Sequence, residues 1–244
     1  MIVENLHGSS PFVLLGDHAG RAIPAGLGNL GVGAADMERH IAWDIGVAGL
    51  GSILARQIDA VFVSQRYSRL VIDCNRGPEA AGSIVSVSDG TAIPGNQGLT
   101  PQDRDARRRE IFQPYQDRIG AILDDRLARR RPTLLLSLHS FTPEMDGQAR
   151  PWRFGVLHRG DSPLSRRTLE ILRARWGQAV GDNQPYAMDG TDFTIPHHAD
   201  ARGLDYLELE VRQDLIETAA DQADVAAQLA EPLSKVAADG VQGH

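Results

Sequence analysis

Residues 133–140, with the sequence TLLLSLHS, decide the fold. A run of apolar residues that gives way to small and polar ones is typical of a strand buried on both faces of a parallel sheet. His139 stands at the C-terminal end of this strand, the edge where open α/β sheets bind ligands. Residues 12–18, FVLLGDH, have the same construction and end in His18. Two such strands predict an α/β fold with a metal site at one edge of its sheet.

Composition excludes several classes of protein. The chain has 244 residues, 42% of them hydrophobic, and a formal net charge of -7. The acidic balance argues against a nucleic-acid partner, and the basic runs at 107–109 and 129–131 are typical of solvated helix faces. The single cysteine, Cys74, rules out an intrachain disulfide. No apolar run approaches the length of a membrane span, and we predict no membrane partner, a cytoplasmic protein and one domain over residues 1–244.

The periodicity of the chain predicts alternating strands and helices. Pro114 predicts a kink or break in the helix that begins near Thr100. Long loops at 78–99 and 181–203 are of a length that is usually functional. We predict strands at 12–15, 60–64, 70–74, 133–140, 153–158 and 204–212, and helices at 36–58, from 100 onward, at 163–176 and at 214–238.

Asp44 is a third candidate for the metal site. A helix from Asp36 to Ile58 would place Asp44 on its buried stripe, where an isolated charge is costly. One interpretation is that Asp44 pairs with His40, four residues earlier on the same side of the helix. The other is that Asp44 joins His18 and His139 as a zinc ligand, since catalytic zinc sites use three protein ligands and a water.

Polar residues near two other strand ends are candidates for catalysis and binding. Glu210 lies on the polar face of the strand 204–212 and is a candidate base for activating water; the alternative is an exposed residue paired with Arg212. Asn75 and Arg76 follow the strand predicted at 70–74, and an arginine there suits carboxylate recognition, unless the segment is a surface turn.

A nucleophilic site is the competing arrangement. Ser137 or Ser140 could act with His139 and an aspartate. Neither serine lies between glycines, as the serine of an α/β-hydrolase elbow does, so this interpretation is disfavoured.

Six stretches of the sequence together resemble the N-formylglutamate amidohydrolase family, and they extend over nearly the whole chain. They are DHAGRAIP at 17–24, ERHIAWDIG at 38–46, YSRLVIDCNR at 67–76, SLHSFTP at 137–143, GDNQPY at 181–186 and LELEVRQD at 207–214. The resemblance implies a zinc carboxypeptidase-like (phosphorylase/hydrolase-like) fold, in which three α/β/α layers surround a central mixed, mostly parallel sheet.

The resemblance also implies roles for individual residues. His18 matches the first metal histidine and His139 the last, and Asp44 best matches the acidic ligand. Relatives with a His-x-x-Glu motif carry a glutamate where this chain has Arg21.

The catalytic and substrate-binding roles follow in the same way. Glu210 matches the catalytic glutamate of a late strand, with Glu208 as the competing candidate. Asn75 and Arg76 match a motif that holds the substrate carboxylate, and Tyr67 is assigned to the same site. Arg69 either supports them or polarises the scissile carbonyl.

Two functions of different classes follow. The first is zinc-dependent hydrolysis of N-formyl-L-glutamate, or of a close N-acyl amino acid, with a place in histidine degradation. The second is a catalytically silent protein of the same fold that binds acyl amino acids. The sequence does not specify the acyl group, the preferred amino acid or the oligomeric state.

Overall fold

The computed structural model describes residues 1–160 and 162–241. Its main sheet has seven strands. In chain order the strands are β1 Ile2–Glu4, β2 Phe12–Gly16, β3 Val61–Ser64, β4 Val87–Ser88, β5 Thr91–Ala92, β6 Leu134–Phe141, β7 Glu144–Met145, β8 Gln148–Ala149, β9 Phe154–Leu157, β10 Val180–Asp182 and β11 Asp205–Arg212. The α-helices are α1 Ala34–Met37, α2 Val47–Gln57, α3 Pro101–Arg107, α4 Gln113–Ala128, α5 Pro163–Trp176, α6 Thr194–Ala199 and α7 Ala219–Val241.

The central sheet is mixed and mostly parallel. Its strand order is β1-β3-β2-β6-β11-β9-β10. Strands β3, β2, β6 and β11 run parallel to one another, β1 is antiparallel to β3, and β9 and β10 are antiparallel to β11. The two remaining strand pairs, β4–β5 and β7–β8, are separate hairpins. The order places β6 at the centre, as expected from its buried apolar run.

Helices cover both faces of this sheet, which confirms the predicted three-layer α/β/α fold. Apolar residues of α2, α5 and α7 form one core cluster with alternate residues of β2, β6 and β11. Apolar residues of α4 and α6 form a second cluster on the opposite face. No helix in the described residues is long and apolar enough to cross a membrane. That residues 1–244 form one domain stays a prediction.

The predicted helix at 36–58 is wrong in its middle. The chain forms the short α1, then an irregular segment over residues 38–46, and then α2. Gly46 explains the interruption, because its φ is +82° and a Cβ there would lie 2.2 Å from the carbonyl oxygen of Ile216. A left-handed residue at this position is incompatible with a continuous helix. Asp44 therefore lies in a loop that leads into α2.

The predicted strand at 70–74 is also wrong. Leu70 and Val71 are buried, as a strand would require, but their carbonyl oxygens accept hydrogen bonds from side chains. Asn96 Nδ2 donates to Leu70 at 2.8 Å, and Arg107 Nη1 donates to Val71 at 2.9 Å. Buried backbone groups need partners, and here side chains replace a neighbouring strand. The segment is a series of turns packed against the second core cluster.

The helix from Pro101 follows the sequence signals closely. Thr100 and Asp103 form a capping box, and Pro101 occupies the first turn. A π-helical turn at Arg108–Phe112 separates α3 from α4, just before Pro114. Proline removes a backbone donor, and the π turn accommodates that loss at the predicted position.

Candidate active site

His18 follows β2 and lies at the C-terminal edge of the sheet. Its Nε2 is 2.7 Å from Oδ1 of Asp73. Its Nδ1 has no hydrogen-bond partner among the described residues and lies 3.5 Å from Oδ2 of Asp44. A carboxylate that accepts from one ring nitrogen fixes the tautomer and leaves the other nitrogen as a lone-pair donor, the usual arrangement around a metal-ligating histidine.

His139 approaches the same point from β6. Its Nδ1 is 2.9 Å from Oδ2 of Asp44, and its Nε2 is 2.9 Å from Oγ of Ser137. One ligand atom from each of His18, Asp44 and His139 lies within 4.8 Å of the others, and all three residues are buried. The structure therefore brings together the three residues that the sequence nominated, in a cluster that could bind a metal.

Ser137, His139 and Asp44 are connected in the order of a nucleophilic triad. Ser137 is 0% exposed, however, and is not among the residues that line the cleft described below. A substrate in the cleft cannot reach its Oγ. Ser137 instead orients the His139 ring, and the nucleophilic interpretation loses its support.

Arg69 links the two buried aspartates. Its terminal nitrogens lie 3.3 Å from Oδ1 of Asp44 and 2.8 Å from Oδ2 of Asp73. Burial alone would raise the pKa of each carboxyl group, but His18 and the other partners hold both pKa values well below their usual range. Burial lowers the pKa of His139, but the contacts with Asp44 and other carboxylates raise it by more, so that the net shift of the pKa is upward. The cluster is a network of opposite charges that pre-orders the ligand atoms.

Glu208 and Glu210 project from β11 on the same face as His139. In the parallel register Glu208 is paired with Ser137 and Glu210 with His139. They are only 4% and 6% exposed, and Oε2 of each has no hydrogen-bond partner among the described residues. Burial raises the pKa of Glu208 to about 8 and that of Glu210 to about 7. Glu210 is not an exposed partner of Arg212, which pairs with Asp214.

A cleft of about 830 Å³ opens over these groups. The three candidate ligands, both glutamates, Arg69, Asn75 and Arg76 all line it. Asn75 Oδ1 accepts from the backbone nitrogens of Phe193 and Thr194 at 3.1 and 2.9 Å, which ties the loop to the start of α6. Arg76 Nη1 lies 3.3 Å from Oδ1 of Asp192 and also donates to Thr191.

One sequence interpretation does not hold in the structure, and one assignment finds no support in it. His40 does not pair with Asp44. It also lines the cleft, and its Nε2 lies 3.7 Å from Oδ2 of Asp89. The helix that would have aligned His40 with Asp44 does not exist. Tyr67 is not among the described residues that line the cleft, and it packs against the second core cluster with Arg66 over its ring.

Two functional candidates were missed. Asp73 stands in the stretch at 67–76 that carries the resemblance, but its contact with His18 spans 55 residues and no local signal predicts it. Tyr186 lines the cleft, and its hydroxyl oxygen accepts from Arg150 Nη1 at 2.9 Å. A tyrosine that follows a proline in a polar loop is only a weak indication of a functional site, although Tyr186 lies within one of the stretches that carry the resemblance.

Comparison with known proteins identifies relatives of the chain. A crystal structure of a gene product from Agrobacterium tumefaciens is 35% identical, with a TM-score of 0.93, over 98% of this chain and 94% of that one. The crystal structure of the N-formylglutamate amidohydrolase from Ralstonia eutropha JMP134 is 20% identical, with a TM-score of 0.77, over 97% and 96% of the two chains. Among curated proteins no match was found.

The family model for N-formylglutamate amidohydrolase matches residues 10–217, which include all the candidate ligands and both glutamates. This match is consistent with the seven-stranded sheet and with the cluster of His18, Asp44 and His139. The chain belongs to the N-formylglutamate amidohydrolase family.

Proposed function

We propose that this amidohydrolase is zinc-dependent and removes the acyl group from an N-acyl amino acid, with N-formyl-L-glutamate or a close relative as substrate. The observation that carries the proposal is the buried Nδ1 atom of His18, which has no hydrogen-bond partner in the described part of the chain and lies close to the ligand atoms of Asp44 and His139. A buried polar atom without a hydrogen-bond partner lowers the stability of the fold unless a bound ligand supplies the missing interaction.

The donor set fits zinc. Two imidazole nitrogens and one carboxylate oxygen are the ligands of many catalytic zinc sites, which keep a fourth position for water. Asp73 and Ser137 hold the distal nitrogens of His18 and His139 and would fix both rings. When bound, zinc supplies Lewis acidity, which makes water acidic near neutral pH and withdraws electrons from a carbonyl oxygen.

Glu210 is the proposed general base and then the general acid. Its carboxyl group lies beside His139 in the sheet and lines the cleft, and its Oε2 has no hydrogen-bond partner within the described residues. It would accept the proton of the attacking water and transfer that proton to the amide nitrogen, because an amine leaves poorly unless it is protonated. Glu208, two residues earlier on the same face, remains the alternative for this role.

Arginines would bind charge on the substrate. Arg69 lines the cleft between Asp44 and Asp73 and is placed to stabilise the negative charge that develops on the carbonyl oxygen. Arg76, supported by Asn75, would hold the α-carboxylate with the N–H groups that Asp192 and Thr191 leave available. Tyr67 has no role in this proposal, because it is not among the described residues that line the cleft.

A panel of N-formyl, N-acetyl and N-succinyl amino acids, assayed with the zinc-loaded protein for release of the free amine, tests the proposal. We expect N-formyl-L-glutamate or a close relative to be hydrolysed, and chelation of the metal to abolish the reaction. Binding without turnover of every member of the panel would instead favour the catalytically silent acyl-amino-acid binding protein. A place in histidine degradation is a proposal that rests on the family resemblance, and a cytoplasmic location stays a prediction from the sequence.

A further inference from the structure

Arg150 lies beside the cleft, and its side chain contacts no carboxylate among the residues that the structure describes. Its Nη1 donates to Oγ1 of Thr142 at 3.1 Å and to the hydroxyl oxygen of Tyr186 at 2.9 Å. The guanidinium group also lies 4.8 Å from the centroid of the Tyr186 ring. Thr142 and Tyr186 both line the cleft, so neutral side chains hold this cation at the edge of the substrate space.

The arginines of the cleft lining differ from Arg150 in this respect. Arg69 lies between two buried aspartates, and Arg76 contacts Asp192. An acidic neighbour offsets part of the attraction between an arginine and a substrate anion, because the neighbour repels that anion. A guanidinium group with neutral partners keeps the whole attraction. Arg150 is therefore suited to bind a second carboxylate of a substrate whose first carboxylate is held by Arg76.

The backbone of Arg150 is fixed at the base of the β7–β8 hairpin. Its N–H donates to the carbonyl oxygen of Pro143 at 2.8 Å, and its own carbonyl oxygen accepts from Nη1 of Arg212 at 3.3 Å. Asp146, at the tip of the same hairpin, lines the cleft. The side chain of Arg150 is half-buried, and only its Nη1 has hydrogen-bond partners in the described part of the chain. The backbone position is thus fixed, while Nε and Nη2 can donate to a ligand.

Tyr186 connects Arg150 to the catalytic centre. Burial raises the pKa of the Tyr186 hydroxyl, and the negative charges of Glu210 and Asp44 raise that pKa further. The hydrogen bond from Arg150 and its positive charge lower the same pKa. Because the effect of a charge on a pKa decreases with distance, Tyr186 lies near the proposed general base and a candidate zinc ligand. Arg150 therefore lies on the side of the cleft next to the reacting groups.

We propose that Arg150 binds the side-chain carboxylate of the substrate and is the residue that makes the protein prefer acidic N-acyl amino acids over their neutral amides. The N–H groups of a guanidinium form a fork that matches the two oxygens of a carboxylate. Tyr186, whose oxygen accepts from Arg150, still has its hydroxyl proton to donate to the same carboxylate. A neutral amide at this place would gain no attraction between opposite charges. The inference rests on the proposed deacylation and adds the residue that sets its side-chain preference.

The test compares two substrates of the same shape, N-formyl-L-glutamate and N-formyl-L-glutamine. With the zinc-loaded wild-type protein, kcat/KM should be at least about tenfold higher for the glutamate compound, since hydrogen bonds between charged groups contribute a factor of about that size. Arg150→Gln should bring the ratio close to one by lowering kcat/KM for the glutamate compound alone. Arg150→Lys, which keeps the charge but not the fork, should keep part of the preference.

Two further variants separate recognition of the carboxylate from a structural role. Tyr186→Phe keeps the aromatic ring and removes the hydroxyl group, so it should reduce the ratio by a smaller factor than Arg150→Gln does. Arg175→Gln is the matched control, because Arg175 also lies over an aromatic ring, at 4.7 Å from the centroid of Trp176, and is outside the cleft lining. This variant should leave the ratio as in the wild type.

Binding provides a readout that does not depend on turnover. Calorimetric titration with the products, L-glutamate and L-glutamine, should show the same preference for glutamate and its loss in Arg150→Gln. A wild-type protein that does not prefer the glutamate compounds overturns the inference. An equal loss for both compounds in Arg150→Gln also overturns it, because that result indicates a structural role. If neither formyl compound is hydrolysed, the proposed function fails, and the binding preference alone decides the role of Arg150.

Discussion

The two faces of the central sheet are built from the same strands but have different contents. Toward α2, α5 and α7, strand β6 presents Leu134, Leu136 and Leu138, and β11 presents Leu207, Leu209 and Val211. On the opposite face the same two strands present Ser137, His139, Glu208 and Glu210, all of them buried. Because successive residues of a strand point to opposite faces, each strand contributes to both stability and chemistry.

The comparison shows where the free energy of folding is gained and where it is lost. Burial of the leucines is favourable by roughly 1.5–3 kcal/mol for each side chain. Buried carboxyl groups without partners are unfavourable, and they persist where a bound ligand or a catalytic step uses them. The apolar face therefore stabilises a sheet whose other face holds an unsatisfied site. Four experiments test this division between the two faces.

Glu210→Gln should reduce kcat by about 10²- to 10⁴-fold, since general acid–base catalysis contributes a factor of that size. Zinc content should stay at the wild-type level, because Glu210 is outside the ligand set. Single-turnover and steady-state assays with Glu208→Gln in parallel provide the comparison. Near-normal turnover of Glu210→Gln with an inactive Glu208→Gln would move the role to Glu208, and normal turnover of both would refute the mechanism.

Leu136→Ala should lower the free energy of unfolding by about 2–5 kcal/mol, because it leaves a cavity at a fully buried position of the apolar face. Chemical denaturation measures the loss. The protein that remains folded should keep its metal and its kcat, since Leu136 points away from the cleft. A large loss of kcat at full folding would show that the two faces are not separable.

Arg76→Lys should raise KM by roughly tenfold with little change in kcat, because a lysine loses one arm of a bidentate hydrogen bond to the substrate carboxylate. Steady-state kinetics separate the two constants, and Arg21→Lys, an exposed arginine outside the cleft lining, is the matched control. A KM equal to that of the wild type would place the substrate carboxylate elsewhere.

The metal-free protein should lose stability as pH rises from about 4.5 to about 8. Burial raises the pKa of Glu208 from 4.5 to about 8 in the folded state. The stability that this protonated carboxyl group contributes is therefore full below the unfolded-state pKa and is lost as pH rises through the folded-state pKa. Glu208→Gln should reduce this slope by up to about 1.4 kcal/mol per pH unit. Denaturation curves across the window, with exposed Glu217→Gln as control, measure it; equal slopes in both variants would contradict the shift.

Much of the fold could be predicted from local patterns. Buried apolar runs located β2 and β6, and the histidines at their ends indicated the functional edge. The predicted helix at 163–176 matches α5, which begins at Pro163 after the capping side chain of Ser162. Such signals lie within a few residues and depend little on the rest of the chain.

The remaining features depend on contacts between distant segments. A helical stripe predicts Asp44 as a ligand, but the chain leaves the helix after Met37, and the left-handed Gly46, against which the backbone of Ile216 packs, excludes a continuous helix into α2. The carbonyls of Leu70 and Val71 are satisfied by Asn96 and Arg107, side chains from later in the sequence. The sequence pattern predicts Glu210 on a polar strand face, but both Glu208 and Glu210 are buried, because other parts of the chain cover that face of β11.

Zinc stoichiometry is the decisive measurement for a metal centre at His18, Asp44 and His139. Elemental analysis of the purified wild-type protein should give one zinc per chain, and His139→Ala should lose it, while His158→Ala, in a histidine that pairs with Asp182 outside the cleft lining, should retain it. Stoichiometric zinc in His139→Ala, or a wild-type protein that binds no zinc when zinc is supplied, would contradict the account.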